Sequence, residues 1–316
     1  MNWRLISAIL GALATLLGLF LLYRVLQRYE LGELLQSFHK MPATQIAWAG
    51  LCTIAAFLGF GVAEFLAVGY ARGRPPALLQ VLRVAVAALG VGHSIGLAAL
   101  SSGAIRYRMY ARQGFDLVEV AKIISFSGVT VALGLMATGA VLILLRTELV
   151  AELVQVRPGL LLALAAAFVT LTIGYPVLCH VRRRPLRLRQ TSIRLPKPAL
   201  AVAQIAIGSL NQMLIVATFF ACLAPFTSKG FLPLAALYVG ADATAVVSHV
   251  PGGWGLLEYI VLHFLNEPRL IAGIVAFRAI YYLVPLLVGL TVFLADESVH
   301  MLKERRPRRR AASVAR

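Results

Sequence analysis

The sequence predicts an all-α polytopic membrane protein with about six full spans and two re-entrant helical hairpins. Three observations carry this reading. Sixty per cent of the 316 residues are hydrophobic and the mean hydropathy is +0.83, which excludes an ordinary soluble domain. The apolar residues gather into separate segments, most of them near the ~20 residues that a spanning helix needs. Two of these segments are interrupted by glycine or proline where an undisturbed helix cannot continue.

The first segment is 5–23. Only Arg4 precedes its apolar run and no small-x-small cleavage pattern follows, so it reads as a retained helix rather than a signal peptide. Segment 43–69 carries Glu64 in Phe60-Gly-Val-Ala-Glu-Phe-Leu66. A carboxylate among apolar neighbours needs a partner or a proton. The candidates are a cationic headgroup, an arginine or a proton, against a structural position near the interface.

Segment 77–102 is broken by Gly90-Val-Gly-His-Ser-Ile-Gly96, with His93 at the break. Ser101-Ser-Gly-Ala-Ile-Arg-Tyr-Arg-Met-Tyr110 follows. The planar guanidinium suits a phosphate, so Ser101, Ser102, Arg106, Arg108 and Tyr110 are candidates for gripping a phospholipid headgroup. The competing reading is a basic and aromatic anchor at the interface. Segments 121–145, 159–180 and 199–225 are further candidate spans. Asn211-Gln212 in the last of these can bond between helices.

The most informative stretch is Val247-Ser-His-Val-Pro-Gly-Gly-Trp-Gly-Leu-Leu-Glu258, inside the apolar segment 231–265. In hydrocarbon, backbone groups freed at Pro251, Gly252 and Gly253 need partners, so such a break lies where protein or a water-filled cavity surrounds it. Asp242, His249 and Glu258 stand around it, and broken helices with ionisable neighbours point to transport sites. A histidine can titrate near neutral pH, although a membrane histidine more commonly serves as a hydrogen-bonding core residue. In segment 270–295, Arg278 lies about 12 Å into the span at ~1.5 Å per residue. It should face the interior with an acidic or phosphate partner, and Asp242 and Glu258 are the acidic candidates. Tyr281 and Tyr282 follow it. Arg106-x-x-x-Tyr110 and Arg278-x-x-x-Tyr282 share a spacing, a weak hint of a repeat.

Charge orients the chain. The net charge of +17 concentrates in Arg182–Lys197 and in Lys303–Arg310, so both the loop and the tail are expected to be cytoplasmic. They should touch anionic lipid headgroups rather than nucleic acid. A basic tail on the cytoplasmic side requires 231–265 to enter and return on one side. Charge does not decide whether 77–102 is a hairpin or a full span, but its glycine-rich break favours the hairpin. The expected organisation is one membrane domain, 1–300, with inverted repeats 1–147 and 158–297, and a basic cytoplasmic tail, 301–316. Cys52, Cys179 and Cys222 are isolated and read as packing residues. No P-loop, metal cluster or Gly-x-Ser-x-Gly is present, so neither an enzyme nor a cofactor is expected.

Taken together, Leu100-Ser-Ser-Gly-Ala-Ile-Arg-Tyr-Arg-Met-Tyr with Gly114, Ser248-His-Val-Pro-Gly-Gly-Trp-Gly-Leu-Leu-Glu258 and Phe277-Arg-Ala-Ile-Tyr-Tyr-Leu-Val-Pro285 resemble the membrane domain of the lysylphosphatidylglycerol synthetase/flippase family, the multiple peptide resistance factors and their stand-alone relatives. The resemblance covers essentially the whole chain. It implies a lipid-translocating domain of the bacterial inner membrane, with Glu64, Arg106, Glu258 and Arg278 at or near the lipid path. It also implies that the soluble aminoacyl-transferase domain of the larger relatives is absent here. The expected function is therefore a flippase or transporter for a phospholipid or related amphiphile. The alternative is a non-transporting accessory protein for a separate lipid-modifying enzyme. Neither reading fixes the lipid, the energy source or whether the protein is a homo-oligomer.

Overall fold

The computed structural model describes residues 38–95, 98–182, 186–188, 191–248 and 255–314. The expected span 5–23 lies outside them, as do His249, Pro251, Gly252 and Gly253. The remaining apolar segments are helices where hydropathy predicts them: α1 (Ala43–Arg72), α2 (Leu78–Ile95), α3 (Ala98–Ala111), α4 (Leu117–Leu145), a short α5 (Thr147–Val154), α6 (Pro158–Val181), α7 (Pro198–Leu223), α8 (Phe231–Ser248), α9 (Leu256–Leu265), α10 (Leu270–Arg278) and α11 (Val284–Val314). Among the described residues, five helical stretches are long and apolar enough to cross a membrane: Ala43–Arg72, Leu117–Leu145, Pro158–Val181, Pro198–Phe226 and Leu270–His300. The chain is an all-α polytopic membrane protein.

Local chemistry explains the boundaries. Asp116 accepts from the Glu119 amide at 2.7 Å while the Glu119 carboxylate accepts from the Asp116 amide at 3.0 Å, a capping box that starts α4. Pro158 and Pro198 open α6 and α7 at a position where no intrahelical N–H is needed. Gly255, at φ +80°, precedes α9 in a conformation that side-chain-bearing residues seldom adopt. The basic loop contains a feature that sequence reading does not anticipate. Leu186–Leu188 (β1) pairs antiparallel with Thr191–Ile193 (β2), with Leu186 opposite Ile193. A second unanticipated feature is α11, which runs on from the last span into the basic tail as far as Val314.

Both broken segments turn back. Arg72, at the end of α1, donates to the Gln113 carbonyl at 3.2 Å and the Gly114 carbonyl at 2.9 Å, and lies 3.5 Å from Glu119. The chain therefore enters α2 and leaves α3 at the same end of the molecule, which resolves 77–102 as a hairpin. Tyr70 bonds the Arg194 carbonyl there. Arg108 and Arg112 bind Glu297 and Asp296 of α11 there as well. The second hairpin is fastened in the same manner. Thr227, before α8, donates to Glu267, after α9, at 3.0 Å. The α8 helix has 18 residues and α9 has 10, so at ~1.5 Å per residue the returning arm is about 15 Å long, half a hydrocarbon core.

The molecule is polar inside and apolar outside. Trp48, Leu51, Leu58 and Val62 of α1 and Leu160, Leu164, Leu171 and Val181 of α6 are exposed, whereas Glu64, Arg106, Gln204, Asn211, Gln212 and Arg278 are buried. Against lipid there is no hydrophobic force to join helices, so small residues and polar bonds do it. A Cβ on Gly134 would meet the Gly208 carbonyl carbon at 2.2 Å, and one on Gly90 would meet the Pro285 oxygen at the same distance. These contacts bring the α4 backbone against α7 and α2 against α11. Gln204 ties three helices together: it donates to the Phe126 carbonyl and to Thr130, each at 3.1 Å, and accepts from Tyr175 at 2.9 Å.

Candidate functional site

Two arginine–carboxylate pairs with buried arginines lie inside the helix packing, and each uses one hairpin. The first is carried by α1 and α3. The Arg106 Nε reaches Glu64 Oε1 at 2.8 Å and Nη2 reaches Oε2 at 2.9 Å. The third nitrogen donates to Ser102 at 2.9 Å, one helical turn away. The carboxylate also accepts from Tyr110 at 3.2 Å and from Ser127 of α4 at 3.4 Å. Its side chain is 1% exposed and that of Arg106 is 3%. This is a closed network in which charge meets charge and the spare donors and acceptors are satisfied.

The second pair is carried by α9 and α10. Arg278 Nε reaches Glu258 Oε1 at 3.0 Å and Nη2 reaches Oε2 at 3.2 Å. Glu258 Oε2 also accepts from the Gly255 amide at 2.9 Å, so the carboxylate is held at the N-terminus of α9, where the exposed amides favour negative charge. The Arg278 guanidinium carbon sits 4.7 Å from the centre of the Tyr282 ring, within cation–π range. The two pairs differ in access. Arg278 is 1% exposed, but Glu258 is 26% exposed. The carboxylate of this pair is partly accessible, whereas the Glu64–Arg106 pair is sealed.

A π-helical turn, Ala279–Leu283, follows Arg278, with the Val284 amide bonding the Ala279 carbonyl. Its origin is Pro285, which lacks an amide hydrogen and crowds the carbonyl one turn earlier. The wider turn absorbs the misfit, and such turns recur at functional sites. It displays Tyr282 towards Arg278 and Tyr281 towards His93 of the first hairpin. The Tyr281 ring stacks on Phe277 with centroids 5.4 Å apart and lies 6.2 Å from the His93 ring and 6.0 Å from Phe57. His93 also meets Phe60 edge-on at 5.2 Å. An aromatic cluster of Phe57, Phe60, His93 and Tyr281 thus joins α1 and the first hairpin to the π turn. Asp242 of α8 accepts from Gln212 of α7 at 3.0 Å.

The structure brings together most of the residues that sequence reading selects. Glu64, Ser102, Arg106 and Tyr110 are one cluster. Glu258, Arg278 and Tyr282 are another, with His93 and Tyr281 between them. Of the two acidic candidates for Arg278, Glu258 takes the fork and Asp242 pairs with Gln212 instead. Arg108 stands apart, with Nε 2.9 Å from Glu297 Oε1 and Nη2 3.0 Å from Oε2, where it fastens the first hairpin to α11. Ser101 lies on α3 one residue before the Ser102 contact. The shared Arg-x-x-x-Tyr spacing does not mark equivalent positions. Arg106 is on the returning arm of a hairpin, whereas Arg278 is on the helix after one. Arg72, Arg112, Asp296 and Glu297, which fasten hairpin ends, escape sequence reading because clusters at a membrane edge look like ordinary interfacial charge. Among the described residues, no three His, Cys, Asp or Glu side chains are grouped to hold a metal.

No protein-family model matches the chain. Similarity to two curated bacterial proteins nevertheless runs along nearly its whole length. Over 315 residues it is 24% identical to the uncharacterized protein slr0712 of Synechocystis sp., covering 97% of this chain and 95% of that protein. Over 303 residues it is 25% identical to the inner membrane protein YbhN of Escherichia coli, covering 94% of each.

Proposed function

We propose that this chain is a multi-pass protein of the bacterial inner membrane that moves a phospholipid or related amphiphile between leaflets. In this reading it is a stand-alone member of the lysylphosphatidylglycerol synthetase/flippase membrane-domain family. The single observation that carries the proposal is the Arg278–Glu258 pair at the mouth of a broken, re-entrant helix. Its arginine is committed and buried, and its carboxylate is within reach of an incoming anion. A lipid phosphodiester presents two unesterified oxygens to the same fork that now holds two carboxylate oxygens. Exchange of one anion for the other leaves the arginine paired throughout, which avoids a bare cation in hydrocarbon. The fold class and the inner-membrane relative support the location, and the resemblance in the three motifs supports the lipid.

The remainder of the mechanism follows from the two hairpins. In this reading the Arg72, Arg194 and Glu297 end faces the cytoplasm, as the positive charge of the basic loop and tail favours, and both termini lie on that side. The first hairpin then opens to the cytoplasm and the second to the opposite face, as inverted repeats 1–147 and 158–297 require. The headgroup moves between the hairpin tips past His93, Tyr281 and Tyr282, while Glu64 and Arg106 hold the first hairpin in shape from within. No step in this scheme makes or breaks a covalent bond.

The test is translocation of short-chain fluorescent phospholipids by the purified protein in liposomes. Wild-type protein should equilibrate the label between leaflets. Arg278→Lys keeps charge but loses the fork, and it should slow translocation while the melting temperature holds. Wild-type flux from a well-folded Arg278→Ala protein removes the pair from the lipid path.

A further inference from the structure

Asp242 is the carboxylate of the second hairpin that the lipid path does not use. It lies on α8, partly buried, and among the described residues it forms no ion pair. Its one hydrogen bond there comes from the neutral amide of Gln212, at 3.0 Å. The groups facing it are identifiable. Tyr238, one turn earlier on α8, is in Coulombic range of both Asp242 and Arg278. Tyr281 and Tyr282 of the π turn are also in range of Asp242, and Tyr282 of Glu258 as well. From α7 it meets Gln212. One hydroxyl of the π turn is unsatisfied among the described residues: Tyr281 is 2% exposed, and its oxygen makes no hydrogen bond there.

An ionised carboxylate in such surroundings needs a cation or a proton. Arg278, the arginine of the neighbouring pair, already serves Glu258. A phosphate brought to Arg278 would add a second negative charge beside Asp242, and two like charges in a buried site do not both persist. We propose that Asp242 is a proton-binding site that couples lipid movement to a transmembrane proton gradient. The inference rests on the translocation reading and supplies its energy source. A proton from water on one face forms an O–H bond on the Asp242 carboxylate as the lipid phosphate takes the Arg278 fork. The unpartnered Tyr281 hydroxyl is available as donor to either anion. After the site opens to the other face, the lipid leaves and the O–H bond breaks, returning the proton to water there. Lipid and proton travel together. By linkage, each improves the binding of the other by the same factor, on the order of 5–150-fold for coupled sites of this kind.

The experiment uses the full chain in liposomes with a lumenal pH dye and short-chain fluorescent phosphatidylglycerol. Wild-type translocation should accelerate when a proton gradient runs with the lipid gradient, and lumenal pH should fall in step with lipid arrival. Asp242→Asn should translocate at a rate indifferent to the gradient and carry no protons, while Asp242→Glu should keep both properties. A measurement independent of flux is the infrared carbonyl band of a protonated carboxylic acid. It should be present in the wild type, missing in Asp242→Asn, and shifted in its pH titration by phosphatidylglycerol. Wild-type flux that ignores the gradient, or coupling that survives in Asp242→Asn, overturns the proton site and leaves the translocation reading intact. A lipid-linked Asp242 band without any flux overturns translocation and keeps the proton site. Absence of the band, or a band whose titration lipid does not move, removes the proton site in either case. If Asp242→Asn fails to fold, the wild-type band and the Asp242→Glu coupling decide.

Discussion

Replacing Glu64 by Gln should be among the most damaging conservative substitutions in the chain. The change keeps the shape of the side chain and removes its charge. Arg106, 3% exposed, then keeps a full positive charge with an amide where a carboxylate had accepted two of its nitrogens at 2.8 and 2.9 Å. Breaking a buried pair by removing one partner costs about 3–5 kcal/mol. Even the lower figure is more than a hundredfold in the ratio of folded to unfolded protein, at ~1.4 kcal/mol per tenfold. The amide must also satisfy Tyr110 and Ser127, which donate to the carboxylate now. Arg106→Gln should cost a similar amount, because it leaves the carboxylate bare. The double variant Glu64→Gln, Arg106→Gln is the neutral member of the cycle and should be less destabilised than the sum of the singles. The measurement is reversible unfolding in mixed micelles by a denaturing detergent, followed by circular dichroism. Strictly additive losses, or a loss below about 1 kcal/mol for Glu64→Gln, would refute the sealed-network argument.

Three further outcomes follow from the same geometry. Glu258→Gln should cost only about 1–2 kcal/mol, between the exposed and buried limits for ion pairs, because its carboxylate meets water. Its effect on lipid translocation should nevertheless exceed its effect on melting temperature. In a background without the native cysteines, Gln113→Cys should react with an impermeant thiol reagent from the same side as Arg74→Cys, and Lys229→Cys from the opposite side. Labelling of 74 and 113 from opposite sides would show that the first hairpin crosses the membrane. Gly208→Val should separate α4 from α7, since even a Cβ there would lie 2.2 Å from the Thr130 carbonyl oxygen. A melting temperature unchanged by that substitution contradicts the backbone contact.

Helix positions are legible in the sequence because hydrocarbon demands long apolar runs. The breaks are legible because glycine and proline at that depth free backbone groups that must find partners. The need of Arg278 for a partner can be read from its depth, but the choice between Asp242 and Glu258 cannot. That choice depends on where α9 restarts, which the Gly255 amide and the Glu258 carboxylate settle three residues apart. The pairing of Glu64 with Arg106 is one of several that the sequence leaves open, since 42 residues separate them and only the return of α3 brings them together. The fastening of hairpin ends by Arg72 and Thr227 is hidden because interfacial charge and hydroxyls are common. The two-stranded ladder in the basic loop carries no strong turn signal. The π turn is legible only as Pro285 within an apolar run, a pattern that a simple kink would equally produce.

The contact of Gly90 with Pro285 and Gly289 has a consequence for synthesis. The first hairpin docks on a helix that the ribosome makes well after it. At about 5–20 residues per second, roughly ten to forty seconds separate the appearance of α3 from that of its seat on α11. During that interval Arg106 can meet Glu64 on α1, but the α2 face with Gly90 has no docking surface. The hairpin must therefore wait, inserted or held at the membrane edge, for α11. A ribosome-stalled chain ending before Pro285 should leave a cysteine placed at Gly90 reactive, and one ending after Gly289 should protect it. The order of translation, and not only the order of helices in the membrane, is then part of how this fold is reached.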